Sequence, residues 1–124
     1  MKSRIFIFIA ACLMIISCSQ KPEAPEFWLG ADLGWITEME HHGHKFYNKD
    51  GQERECTALM KELGLNAVRH RVWVDPSKHG NWCSKEDLLV KCQRAKALDM
   101  EILLDFHYSD WWADPASQKK PADD

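Results

Sequence analysis

The chain has 124 residues and a formal net charge of −3, from 16 lysines and arginines against 19 acids. That length suffices for one small domain at most, and the lack of a basic surplus or stripe argues against a nucleic-acid partner. Six tryptophans in so short a chain point either to flat apolar faces offered to a ligand or to an aromatic core.

The first residues read as an export signal. Met1-Lys2-Ser3-Arg4 is basic, and Ile5 to Ile16 is an apolar run too short to cross a bilayer as an ordinary helix. The run ends Ile15-Ile16-Ser17-Cys18, which resembles the bacterial lipobox of two aliphatic residues, a small one and cysteine. The resemblance implies a lipoprotein signal peptide over residues 1–17 and acylation of Cys18. The mature protein would then be exported and anchored to a bacterial membrane, in the periplasm or at the cell surface. A plain secretory signal is the alternative. Residues 18–26, with Pro22 and Pro25 among polar neighbours, read as a tether. With Cys12 and Cys18 set aside, Cys56, Cys83 and Cys92 are an odd set, with room for one disulfide but for no closed framework.

Phe27 to Leu33 is an apolar run ending in Asp32, expected as a first strand. Ile36 to Gly51 is a polar, histidine-rich excursion in which Lys49-Asp50-Gly51 suits the turn of a small hairpin. From Glu53 the period changes. Cys56, Leu59, Met60 and Leu63 recur at helical spacing, and Gly64 supplies a left-handed stop. Leu65 to Val74 reads as a second strand, stopped at Asp75-Pro76. Ser84, with Asp87 three residues on, caps a helix whose buried face is expected to be Leu88, Leu89, Cys92, Ala95 and Leu98. Glu101 to Leu104 then begins a third strand of the kind buried on both faces.

Strand, helix, strand, helix, strand with short links implies an α/β fold with a parallel sheet. Each strand carries its chemistry at its C-terminal end: Asp32 on the first, Arg71 and Trp73 on the second, and Asp105 to Trp112 on the third. Asp105, His107, Asp110, Trp111 and Trp112 together suit a polyhydroxylated ligand. Carboxylate and imidazole bond hydroxyls, while indoles stack on the C–H faces of sugar rings. Convergence on one rim is how α/β barrels build sites.

These residues resemble the amino-terminal part of glycoside hydrolase family 53, the arabinogalactan endo-β-1,4-galactanases. The matching pieces are Leu29-Gly30-Ala31-Asp32-Leu33, Leu59 to Asn66, Val68 to Pro76 and, most specifically, Leu104-Asp105-Phe106-His107-Tyr108-Ser109-Asp110-Trp111-Trp112-Ala113-Asp114-Pro115. The resemblance implies the first three or so βα units of a (β/α)8 TIM barrel over residues 27–124. It also implies retaining cleavage of β-1,4-galactan, the side chain of pectin, by two carboxyl groups roughly 5 Å apart. In the family both are glutamates near the ends of the fourth and seventh strands, so the catalytic pair is expected beyond Asp124 and this segment alone is expected to be inactive. By the same resemblance Arg71 would lie beside the nucleophile, and His107 would sit near the reacting sugar. Asp32, Asp110, Trp111, Trp112 and Trp73 would line the glycan cleft. No cofactor is implied.

Three features depart from the family pattern. His70 replaces an aliphatic core residue, Asp99 replaces the glycine that usually ends a helix, and Ala122-Asp123-Asp124 breaks from the expected continuation. Glu38, Glu40, His41, His42 and His44 lack the spacing of a metal site and read as a solvated loop. Absence of a Gly-rich phosphate loop and of a Gly-x-Ser-x-Gly elbow excludes kinase and serine-esterase chemistry. Two classes stay open: an endo-galactanase, or a non-catalytic glycan-binding lipoprotein that keeps the tryptophans without the acid and nucleophile.

Overall fold

The computed structural model describes residues 27–121. The expected signal peptide and tether, with Cys18, and residues 122–124 lie outside them. Three strands, β1 (Gly30–Asp32), β4 (Ala67–Val72) and β5 (Glu101–Phe106), form one parallel sheet in the order β1-β4-β5. Between β1 and β4 come helix α1 (Ile36–His41), a hairpin of β2 (Phe46–Tyr47) and β3 (Glu53–Arg54), and helix α2 (Cys56–Glu62). A 3-10 turn (Ser77–His79) and helix α3 (Lys85–Ala97) join β4 to β5. The parallel α/β order is the one expected. The polar excursion is more structured than its composition suggested, because it holds α1 and the hairpin.

The hairpin closes where the turn residues stand. Asn48 Oδ1 accepts from the N–H groups of Asp50 (3.0 Å) and Gln52 (2.9 Å), and Gly51 takes φ +74°. α2 starts at Glu55, whose carboxylate accepts from Ala58 N at 2.8 Å, and stops at Gly64 with φ +93°. Ser84 Oγ caps α3 by accepting from Asp87 N at 3.3 Å. Asp99 takes the left-handed stop despite its Cβ, with φ +50°, and Met100 N donates back to the Ala95 carbonyl at 3.1 Å.

The core lies between the sheet and the helices, built from Leu33, Ile36, Cys56, Val68, Ala95 and Met100. Strand alternation sends Val68 and His70 of β4 to this face and Arg69 and Arg71 to the other. The expected buried face of α3 needs correction. Leu89 is 57% exposed, whereas Lys91 is fully buried with Ala95, because α3 is rotated so that the Lys91 ammonium reaches polar groups at the end of β1. β5 is also not buried on both faces. Leu103, Leu104 and Phe106 are 61%, 41% and 57% exposed, since β5 is the sheet's edge and α3 packs against only part of it. Cys56, Cys83 and Cys92 are all free thiols, so the disulfide is not formed.

Candidate functional site

Register fixes which groups meet at the sheet's rim. Asp32 lies opposite Arg69, and Arg71 opposite Asp105, so two cations of the central strand stand between acids on its neighbours. The Arg69 guanidinium bridges both, donating from Nη1 to Asp32 and from Nη2 to Asp105. Arg71 is placed differently. Its side chain is buried and its Nη1 comes only to 3.7 Å from Asp32 Oδ2. Its cation is instead surrounded by indoles, with Cζ at 4.4 Å from the Trp112 ring centroid, 5.3 Å from Trp35 and 5.5 Å from Trp73.

Burial without an acid leaves donors over. Arg71 Nε and Nη2, and Trp73 Nε1 in the same cluster, are buried and make no hydrogen bond among the described residues. Each such group costs about 1–3 kcal/mol, more for a charged one. An arrangement of this kind is suited to an anionic or hydroxyl oxygen that accepts from a planar, permanently charged donor.

The rim loops are tied to each other. Val74 N donates to Ser109 O at 3.0 Å, and Asp110 accepts from Asp75 N at 3.0 Å. His107 uses both ring nitrogens: Nε2 accepts from Ala113 N at 3.1 Å, and Nδ1 faces Asp105 Oδ2 at 3.4 Å. That pattern assigns the proton to Nδ1. Trp112 stacks on Trp35, with centroids 6.0 Å apart and planes at 24°. Trp111 lies against His79 at 3.7 Å and Trp73 at 4.8 Å.

At the rim Asp32 pairs with Arg69 and lies near Arg71, Trp112 faces Arg71, and Trp111 lies on Trp73. Three expectations are refined. His107 contacts its own loop and the Asp105 carboxylate, so it braces the rim. Asp110 holds the loop after β4. Trp73, 4% exposed, is the floor on which Trp111 and Trp112 rest. Sequence reasoning missed Arg69, Trp35 and His79. Arg69 was legible from its period-2 spacing to Arg71; Trp35 and His79 lie in loops whose direction no periodicity gives. His41 and His42 pack edge-on, and His41 lies 5.2 Å from Trp82.

His70 is fully buried beneath this rim, and neither ring nitrogen finds a hydrogen-bond partner among the described residues. Burial, then the Lys91 charge, pushes its pKa down to about 4, against weaker opposing effects of Asp32, Asp87 and the Leu33 backbone. The imidazole acts here as a neutral core group.

A family profile described as "Glycosyl hydrolase family 53" matches residues 28–123. The endo-beta-1,4-galactanase of Bacillus subtilis is 31% identical across 98% of this chain and 36% of its own length. A probable arabinogalactan endo-beta-1,4-galactanase A of Aspergillus fumigatus is 37% identical, over 88% of this chain and 30% of its own. The chain thus spans about a third of the length of these curated relatives. A solved fungal beta-1,4-galactanase structure superposes with a TM-score of 0.72 at 37% identity, covering 77% of this chain and 28% of that one. The family 53 catalytic domain of Ignisphaera aggregans gives 0.67 at 40% identity, covering 81% and 30%. The sheet and its helices are accordingly the N-terminal part of a (β/α)8 barrel. With a profile match running through all three parallel strands and the rim they carry, the chain belongs to glycosyl hydrolase family 53.

Proposed function

We propose that the protein is an endo-acting hydrolase of β-1,4-galactan or arabinogalactan that works with retention, exported and held at a membrane by a lipid on Cys18. In this reading residues 27–121 supply the supporting shell. The strands β1, β4 and β5 end in Asp32, Val72 and Phe106, and the glutamate pair that performs acid/base and nucleophilic chemistry belongs to later strands. Arg71 accepts no proton and donates none. Its work is to hold a carboxylate ionised and oriented while negative charge leaves the nucleophile and returns to it. Trp112 and Trp35 give the galactose ring an apolar face, and Trp111 extends that platform along the rim. The observation that carries the reading is the buried Arg71 guanidinium with Nε and Nη2 unbonded inside an indole cluster.

The test is to incubate the full-length protein with β-1,4-galactan and follow new reducing ends, with the anomeric form of the first product read by NMR. Oligosaccharides released with the β configuration are expected. Arg71→Lys should lower kcat about a hundredfold, since an ammonium neither forks nor stacks like guanidinium. Binding without cleavage would leave the glycan-binding alternative; neither binding nor cleavage would end both.

A further inference from the structure

α3 buries a lysine at its centre, and its ammonium does not face solvent or substrate. Lys91 Nζ donates to Asp87 Oδ2 at 2.7 Å and to the Gly34 carbonyl at 2.9 Å, and it touches Cys83 Sγ at 3.6 Å. The Cys83 thiol donates to the same carbonyl at 3.3 Å. Burial, first, and the Asp87 charge push that thiol's pKa up against Lys91 and Arg71, which keeps the S–H proton for this bond. Cys83 is itself pinned in the left-handed region at φ +61°, with its N–H on Asp87 Oδ2 at 2.7 Å and its carbonyl accepting from Trp73 N at 3.0 Å. At its other end, Gly34 donates its N–H to Asp32 Oδ1 at 2.9 Å.

Gly34 is thus gripped at both ends, and it touches the site directly. A Cβ added there would stand 2.9 Å from Arg71 Nη2 and 3.1 Å from its Cζ. The next residue, Trp35, carries the ring that stacks on Trp112 and faces Arg71. We propose that Lys91, backed by Asp87 and Cys83, is a positioning residue. By bonding the Gly34 carbonyl it fixes the Gly34–Trp35 peptide, and so sets the Arg71 guanidinium and the Trp35 face toward the sugar. The catalytic consequence rests on the galactanase reading above; the structural consequence does not. An apolar side chain of equal length would avoid the desolvation of a buried ion pair, so a purely structural role would be met at least as well by methionine. A hydrogen-bonding role would not.

The experiment compares Lys91→Met and Lys91→Gln, each combined with Asp87→Asn so that no buried charge is left alone, in the full-length protein. Both remove the charge, but only glutamine keeps an N–H for Gly34. Lys91→Met is expected to weaken the exciton circular dichroism of the indole cluster and to lower kcat on galactan about tenfold to a hundredfold, with KM within about threefold. Lys91→Gln is expected to recover most of both. Folded Lys91→Met protein with the wild-type band and kcat would overturn the proposal, as would equal loss in the two variants. If Lys91→Met does not fold, Cys83→Ala, which removes the second donor to the same carbonyl, carries the test. A few-fold loss of kcat with a weakened band supports the proposal, and wild-type values for both overturn it. Should wild-type protein cleave no galactan, the galactanase reading fails alone, and the circular dichroism arm still decides the role of Lys91.

Discussion

The Arg71 guanidinium lies 4.4 Å from the Trp112 centroid and makes only a long 3.7 Å approach to Asp32. Its position is therefore set by flat apolar surfaces and by the absence of a side chain at Gly34. Gly34→Ala tests this without touching any charge. Its new methyl would stand 2.9 Å from Arg71 Nη2, so the cation must slide along the indoles. A loss of about tenfold to a hundredfold in kcat is expected, with destabilisation of about 1–3 kcal/mol from overpacking. Unchanged turnover in folded protein would mean that the guanidinium has room to spare.

His70 sets a pH dependence at the same scale. Its pKa falls from the ordinary 6.5 to about 4 in the folded chain, so between those values the unfolded chain binds a proton that the folded one refuses. Stability is then full above about pH 6.5 and declines as pH falls toward 4, by about 3 kcal/mol from this group. Unfolding free energies from urea titrations at the two ends of that window should differ by this amount in the wild type and by distinctly less in His70→Leu. An equal acid loss in both would assign it to other groups.

Among elements, the loop after β5 carries His107, Trp111 and Trp112, which pack on Trp73, His79 and Trp35, while its turn stands exposed. Tyr108 is 78% exposed and sits at φ +44°, a costly conformation for an aromatic residue. His107 holds that turn closed through Ala113 N and Asp105. His107→Ala should cost about 1–3 kcal/mol in denaturation and weaken galacto-oligosaccharide binding, as Trp112 loses its edge contact at 5.5 Å. Unaltered binding would show that Trp35, Trp73 and Arg71 orient the Trp112 ring without His107.

Such loop detail was not legible in the sequence, whereas the elements were. Period and caps gave the strands ending at Asp32 and near Val74, Ser84 as a cap and the Gly64 stop, because each depends on neighbours a few residues apart. Lys91 was invisible as a buried group, and His70 was legible as standing at a core position only through the family resemblance. Their burial depends on Gly34 and Leu33, far away in sequence, and composition assigns lysine to the surface by default. His107 and Asp110 were legible as rim residues but not in their bracing roles, since a hydrogen bond to Ala113 N or Asp75 N follows from how the loop folds back.

At the scale of the whole molecule, the sheet's two faces are unequal. One is covered by α2 and α3 around Val68, Ala95 and Met100. The other is a concavity of about 550 Å³ lined by Trp28, Ala67, Arg69 and Leu103, while Leu104 and Phe106 lie exposed on the helix side of the same edge strand. A parallel edge with apolar side chains is a template for pairing with another chain, and barrel strands gain their stability only on closure. Residues 27–121 prepared as an isolated unit are therefore expected to bind a hydrophobic dye and to associate as concentration rises. They are also expected to release no oligosaccharide from galactan, since the proposed reading assigns the acid and nucleophile to other strands. Leu103→Lys on the edge should reduce the association without restoring activity, because it answers the exposed surface and not the missing chemistry. Sedimentation velocity over a concentration series reads the first outcome and a reducing-end assay the second. A dilution-stable monomer that leaves the dye dark would show that the three strands close their own core, and any galactan cleavage by it would move the catalytic pair into these residues.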